Sequence, residues 1–100
     1  MAAYFFFDML EVTDPAGLEK YREGVLEIVE RFGGRYLSVG GRFDVVEGDW
    51  SPTFPVLIEF PSQEAARAWY DSEDYRELKA LRLSATRGSG VFIEGNGFPA

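Results

Sequence analysis

Three carboxylates stand in apolar, strand-like surroundings: Asp8 behind Tyr4-Phe5-Phe6-Phe7, Glu59 between Ile58 and Phe60, and Glu94 behind Val91-Phe92-Ile93. A carboxylate held away from water binds its proton more tightly and can serve as a base near neutral pH. Glu59 and Asp8 are therefore the candidate bases, with Tyr36 or Tyr70 as the candidate proton donor. A plainer account leaves all three acids at strand ends, near water or paired with arginine. The chain has no histidine and no cysteine. Their absence removes the usual general base, every Ser-His or Cys-His nucleophile system, disulfides and cysteine-built zinc sites. The carboxylates lack EF-hand spacing, and haem finds no histidine or cysteine as axial ligand. No metal and no cofactor are expected.

The aromatic residues Tyr36, Trp50, Trp69, Tyr70 and Tyr75 can line a pocket for a small organic molecule. Trp69 and Tyr75 suit a core or a subunit seam equally well. Trp50 sits in the loop Gly48-Asp49-Trp50-Ser51-Pro52, where no periodicity requires its burial, so it marks a lid or an interface. Arg82 and Arg87 fall near the end of a helical segment, a position the helix dipole favours in any case. Tyr36, Trp50, Glu59, Trp69 and Arg82 make up the expected ligand-contacting set. Gly40-Gly41 and Gly88-x-Gly90 are not phosphate loops, because neither opens a helix or precedes a Lys-Ser/Thr pair.

The elements that must position these residues follow from pattern and punctuation. Residues 3 to 12 are dense in aromatic and apolar types and predict a strand. Thr13-Asp14-Pro15 starts a helix whose apolar stripe is Leu18, Tyr21, Val25, Ile28, Val29 and Phe32, and Gly33-Gly34 stops it. Arg35 to Val39 and Arg42 to Glu47 predict two strand segments around Gly40-Gly41. Phe54 to Phe60 predicts the next strand. Ser62 caps a short helix, and Ser72 caps a second from Glu73 to about Ala85. Val91 to Glu94 is the last strand. Taking the segments around Gly40-Gly41 as one bent strand gives an α+β chain of ferredoxin-like βαββαβ order, with an antiparallel sheet and its helices on one face.

One hundred residues make a single domain, with a core over about residues 3–95 and a short tail at 96–100. The net charge is −7 and the basic residues are dispersed. Nucleic acid and anionic membrane are excluded as partners on that ground. No apolar run is long enough for a signal peptide or a membrane span, so a cytoplasmic protein is expected. Along the strands, Phe5, Phe7 and Met9 share a face with Phe54, Val56, Ile58 and Phe60. The opposite face is expected to hold Tyr4, Phe6, Leu10, Leu57 and Phe92, together with Asp8, Glu59 and Glu94. That face is too apolar for bare solvent, and the helices are already committed to the first. A second copy of the same sheet is the simplest cover, so a homodimer through the sheet face is expected.

Several segments in this order resemble the domain-of-unknown-function family DUF1330, over Tyr4 to Glu94. They are Glu11-Val12-Thr13-Asp14, Gly33-Gly34-Arg35-Tyr36-Leu37 with Gly40-Gly41, Glu47 to Pro52, Ile58 to Ser62, Ala65 to Tyr70, and Ser72-Glu73-Asp74-Tyr75. The resemblance implies a dimeric α/β barrel, a superfamily that holds cofactor-free oxygenases, isomerases and plain ligand-binding modules. Val39 and Phe54 stand where the family pattern often carries arginine, which implies a less charged ligand. The expected function is binding of a small, mostly apolar organic molecule in a pocket between sheet and helices. The alternative is a cofactor-independent oxygenase or isomerase using Glu59 or Asp8, Tyr36 or Tyr70, and Trp50 as a lid.

Overall fold

Residues 1–97 are described by the computed structural model of the chain; the last three residues of the expected tail lie outside them. The aromatic run at the start forms strand β1, Ala3–Val12. Asp14 caps helix α1, Pro15–Arg31, its side chain accepting from the Gly17 amide, and Pro15 occupies the first helical turn, where an amide would have no partner. Gly33, at φ +81°, and Gly34 end the helix; a side chain on Gly34 would strike Phe60 and Val29. Strands β2, Arg35–Val39, and β3, Pro55–Phe60, follow. Helix α2, Gln63–Tyr70, and helix α3, Glu73–Ala85, start at Ser62 and Ser72, whose hydroxyls accept from the amides of Ala65 and Tyr75. Strand β4, Thr86–Glu94, completes the chain.

The four strands lie in the order β2-β3-β1-β4 with antiparallel neighbours. With α2 and α3 taken as one broken helical connection, this is the ferredoxin-like βαββαβ arrangement. Phe5, Phe7 and Met9 of β1 and Val56, Ile58 and Phe60 of β3 are buried against Leu18, Tyr21, Val25 and Val29 of α1 and Trp69 and Tyr75 of the other helices. Trp69 anchors this core: it stacks on Tyr75 at 4.3 Å and meets Phe60 at 5.3 Å and Phe5 at 5.6 Å. Such pairs each contribute roughly 0.5–1.5 kcal/mol beyond the area they bury. Among the described residues no helix is long and apolar enough to cross a membrane.

Three expectations need correction. Residues 42 to 47 do not form a strand. Gly40, at φ +61°, turns the chain out of the sheet while its amide donates to the Pro55 carbonyl at 2.8 Å. The segment that follows crosses the open sheet face, and Phe43, Val45 and Trp50 gather there with Phe6 and Leu57. Strand β4 begins five residues earlier than expected, at Thr86 rather than Val91. Its glycines allow this, because a side chain on Gly88 would collide with the Asp8 carbonyl of β1. Finally, the register pairs Phe5 with Phe92 and Ala3 with Glu94. Phe92 and Glu94 therefore belong to the helix side, and Val91 and Ile93, expected there, lie on the open face instead.

Candidate functional site

A cleft of about 420 Å³ opens between α1 and the β2 edge of the sheet. Leu18 and Val25 of α1 form one wall, and Phe7, Val39, Phe54 and Val56 the sheet side. Val39 reaches this side through a one-residue slip in pairing between Tyr36 and Ser38, which sets it against Val56. The Arg22 guanidinium lies 5.7 Å over the Phe54 ring at the cleft. Tyr21, Tyr36 and Arg22 are the polar residues of this otherwise apolar lining. Burial pushes the Tyr36 hydroxyl well above its usual range; the Tyr75 hydroxyl adds to that and Arg82 opposes it. Tyr21 is raised as well, again chiefly by burial and then by Tyr75. Both are proton donors, not bases, at any ordinary pH.

Behind the cleft the Tyr21 hydroxyl belongs to a buried polar cluster. The hydroxyls of Tyr21 and Tyr75 are 2.8 Å apart, and Arg82 Nε donates to the Tyr75 oxygen at 3.4 Å. Burial raises the Tyr75 hydroxyl as well, with Arg82 opposing. Neither hydroxyl was picked out by sequence reasoning, which placed Tyr21 on the apolar stripe of α1 and Tyr75 in a core or seam. The available signal was chemical: a tyrosine on a core stripe must find a partner for its hydroxyl, and two such stripes meet here.

Arg82 opens on its other side into a second cleft, of about 410 Å³, between α2, α3 and β4. Tyr70, Phe5 and Phe92 form its aromatic wall, and Arg67 lies 5.1 Å over the Phe92 ring. Lys79 Nζ sits 4.2 Å from the Tyr70 ring centroid and donates to the Tyr70 carbonyl at 2.8 Å.

The remaining candidates are placed elsewhere. Trp69 is fully buried and lines neither cleft; its Nε1 has no hydrogen-bond partner among the described residues. Glu59 lies on the open face of the sheet, paired with Arg35 at 2.8 Å. Asp8 is also on that side and only 5% exposed. Its carboxylate accepts from the Thr53 amide at 3.0 Å and the Phe54 amide at 2.7 Å, which fastens the end of the long loop to β1. Trp50, 60% exposed, meets Phe6 edge-on at 5.9 Å on the same face. Asp8 lines the second cleft together with Tyr70, but its carboxylate is held by the Thr53 and Phe54 amides, and Glu59 lines neither cleft. Among the described residues no group of three or more acids is gathered for a metal ion.

The fold defines a ferredoxin-like α+β protein with one cleft between α1 and the β2 edge, another between α2, α3 and β4, and an apolar sheet face. The family model for the domain of unknown function DUF1330 matches residues 2–96, and the chain belongs to that family. No curated protein matches the sequence. Among solved structures, a protein of unknown function from Rhodopseudomonas palustris is similar at 16% identity and a TM-score of 0.70, covering 95% of this chain and 82% of that one. A mutant of SnoaB, a cofactor-independent oxygenase from Streptomyces nogalater, aligns over 99% of this chain and 97% of its own at 11% identity and a TM-score of 0.64. A dimeric ferredoxin-like protein of unknown function from Jannaschia sp. CCS1 aligns over 95% of this chain and all of its own, at 13% identity and a TM-score of 0.63. At these identities the likeness is one of fold.

Proposed function

We propose that the chain forms a homodimer through its open sheet face and binds a small, mostly apolar organic molecule in the cleft between α1 and the sheet. The observation that carries the binding reading is the composition of that cleft: aliphatic and aromatic walls with two protonated tyrosine hydroxyls. Val39 and Phe54, the two departures from the family pattern, both line it and remove charge from its wall. Arg82 can only donate to Tyr75, so the Tyr75 proton is best used on Tyr21. The Tyr21 proton is then available to an oxygen or nitrogen acceptor on the ligand. A ligand with an apolar body and one such acceptor fits the cleft best.

The homodimer is supported by the exposed apolar side chains on the sheet face and its loop, among them Leu10, Val45, Trp50, Val91 and Ile93. A similar fold from Jannaschia is dimeric. An oxygenase reading draws support from the likeness to SnoaB. In this chain it would rely on Tyr21 and Tyr36 to stabilise a developing oxyanion, since Asp8 and Glu59 face away from the cleft.

Native mass spectrometry on gently purified protein tests both halves of the proposal. A dimer carrying a reproducible extra mass is expected, and that mass should be lost when Val39→Arg and Phe54→Arg refill the cleft with charge. A monomer refutes the dimer. Retention of the extra mass in the double variant refutes the assignment to this cleft.

A further inference from the structure

Arg82 is a charged side chain only 6% exposed, and among the described residues no carboxylate lies within salt-bridge distance of it. That is unusual for this residue type. Removing a guanidinium from water costs several kcal/mol, and arginine cannot escape the cost by losing its proton. The described ion pairs of its neighbours are made elsewhere: Arg67 pairs with Asp71 at 3.2 Å, and Arg87 with Glu11 at 3.3 Å. Arg82 has one long bond, from Nε to the Tyr75 hydroxyl at 3.4 Å. Its Cζ lies over the Phe7 ring at 4.8 Å and over the Phe5 ring at 6.0 Å, contacts that recover part of the desolvation cost. Its terminal nitrogens have no hydrogen-bond partner among the described residues, and the residue lines the cleft between α2, α3 and β4.

We infer that this cleft is a second binding site, for a small aromatic monocarboxylate whose acid group pairs with Arg82. A planar carboxylate matches the two-pronged donor pattern that a guanidinium offers. The body of the ligand is set by the wall around it, where Phe5, Tyr70 and Phe92 present aromatic surface. Arg67, over both Phe92 and Tyr70, adds positive potential at the rim. The volume of about 410 Å³ holds a ring and a short side chain, not a polymer. Asp8 is the one acid in the lining, and its carboxylate is already engaged by the amides of Thr53 and Phe54. This site does not rest on the ligand proposed for the α1 cleft, although Arg82, Tyr75 and Tyr21 link the two clefts.

The probe is benzoate, titrated calorimetrically into the full-length chain, with benzamide as its uncharged counterpart and inorganic phosphate as a plain anion. A charge-assisted pair with Arg82 should make benzoate bind about ten- to hundredfold more tightly than benzamide. Arg82→Met should erase that preference, and Arg82→Lys, which keeps the charge without the fork, should retain only part of it. Amide resonances of Gly88 and Gly90 should move on titration, while those of Leu18 and Val39 in the α1 cleft stay still. Equal binding of benzoate and benzamide, or a preference untouched by Arg82→Met, overturns the proposal. So does phosphate binding as well as benzoate, shifts confined to Leu18 and Val39, or the absence of saturable benzoate binding at millimolar concentrations. Should Arg82→Met fail to fold, an unchanged benzoate-to-benzamide ratio in Arg82→Lys refutes the two-pronged pairing.

Discussion

Removing the Tyr75 hydroxyl tests whether Tyr21, Tyr75 and Arg82 act as one unit. Tyr75 is fully buried, and its oxygen both pairs with Tyr21 at 2.8 Å and accepts from Arg82 Nε at 3.4 Å. Tyr75→Phe keeps the ring, and with it the stack on Trp69, so cavity formation contributes little. What changes is that two buried polar groups lose a partner, at about 1–3 kcal/mol for each one left unsatisfied. The long Arg82 contact belongs at the low end, so the single variant should cost about 2–3 kcal/mol. Tyr21→Phe leaves Tyr75 its contact with Arg82 and should cost about 1–2 kcal/mol. The double variant strands no hydroxyl in the core, so its cost should stay near that of Tyr75→Phe alone. The coupling is then about 1–2 kcal/mol less than additivity requires. Urea unfolding of all four proteins measures it, at one fixed protein concentration because any dimer adds to apparent stability. In thermal unfolding Tyr75→Phe should lower Tm by roughly 10–20 °C for a domain of this size. Costs that add to within about 0.5 kcal/mol would refute the cluster as a cooperative unit.

Alkaline pH should act on the same residues. Tyr21, Tyr36 and Tyr75 have pKa values raised in the folded state, so the folded chain holds their protons above pH 10 where the unfolded chain releases them. Their contribution is complete below about pH 10 and falls above it, by up to about 1.4 kcal/mol per pH unit for each tyrosine. Unfolding should therefore coincide with tyrosinate absorbance at high pH, and ionisation of all three near pH 10 with the fold intact would contradict their burial. Ile93→Lys places a charge on the open sheet face at a side chain 53% exposed in the protomer. It should convert dimer to monomer in sedimentation with little loss of helix content, and an unchanged dimer would move the interface elsewhere. Gly88→Ala drives a methyl group into the Asp8 carbonyl and should cost several kcal/mol by parting β4 from β1, as read by chemical denaturation. Glu59→Gln loses only the solvent-facing pair with Arg35, so stability should change by less than about 1 kcal/mol and turnover on any substrate of the α1 cleft should persist. Loss of turnover would restore Glu59 as a base.

How much of this was legible in the sequence depends on how local the cause is. The caps at Asp14, Ser62 and Ser72 are decided within three or four residues, and all three accept the expected amide bonds. The stripe of α1 and the alternation of β1 depend on burial along one element, and these too were readable. Phe92 failed because its face depends on how β4 registers against β1, and Gly88 and Gly90 let the strand start earlier than its apolar run suggests. The segment 42–47 has strand-forming residues, but Gly40 turns it onto the sheet face before it can pair with a neighbour. Val39 reached its cleft through a pairing slip that no alternation rule contains. Site residues were harder still: Arg82 reads as an ordinary helix-end arginine until the fold surrounds it with Phe5, Phe7 and Tyr75.

The sheet divides the chemistry of the protomer. Asp8 and Glu59 are on its open side, each already engaged, one with the amides of Thr53 and Phe54 and the other with Arg35. On the helix side are Arg82 and three raised tyrosines, a set that donates hydrogen bonds and stabilises negative charge but accepts no proton near neutral pH. Such a lining recognises an oxygen that is, or becomes, anionic. It is ill suited to abstracting a proton. Turnover in the α1 cleft would therefore have to start from a substrate that carries its own base or reacts as an anion already formed. The apolar walls of the α1 cleft would then serve to exclude water, and the hydroxyls of Tyr21 and Tyr36 would hold the developing charge. A carboxylate at Arg82, by contrast, is a finished anion and needs only pairing. The two clefts share one hydrogen-bonded cluster, so filling the Arg82 side draws that guanidinium toward the ligand and weakens its bond to Tyr75. Tyr75 is then freer to accept from Tyr21, which makes Tyr21 a poorer donor to the α1 cleft. Occupancy of one cleft should for that reason oppose occupancy of the other, and by linkage the opposition must be equal in both directions.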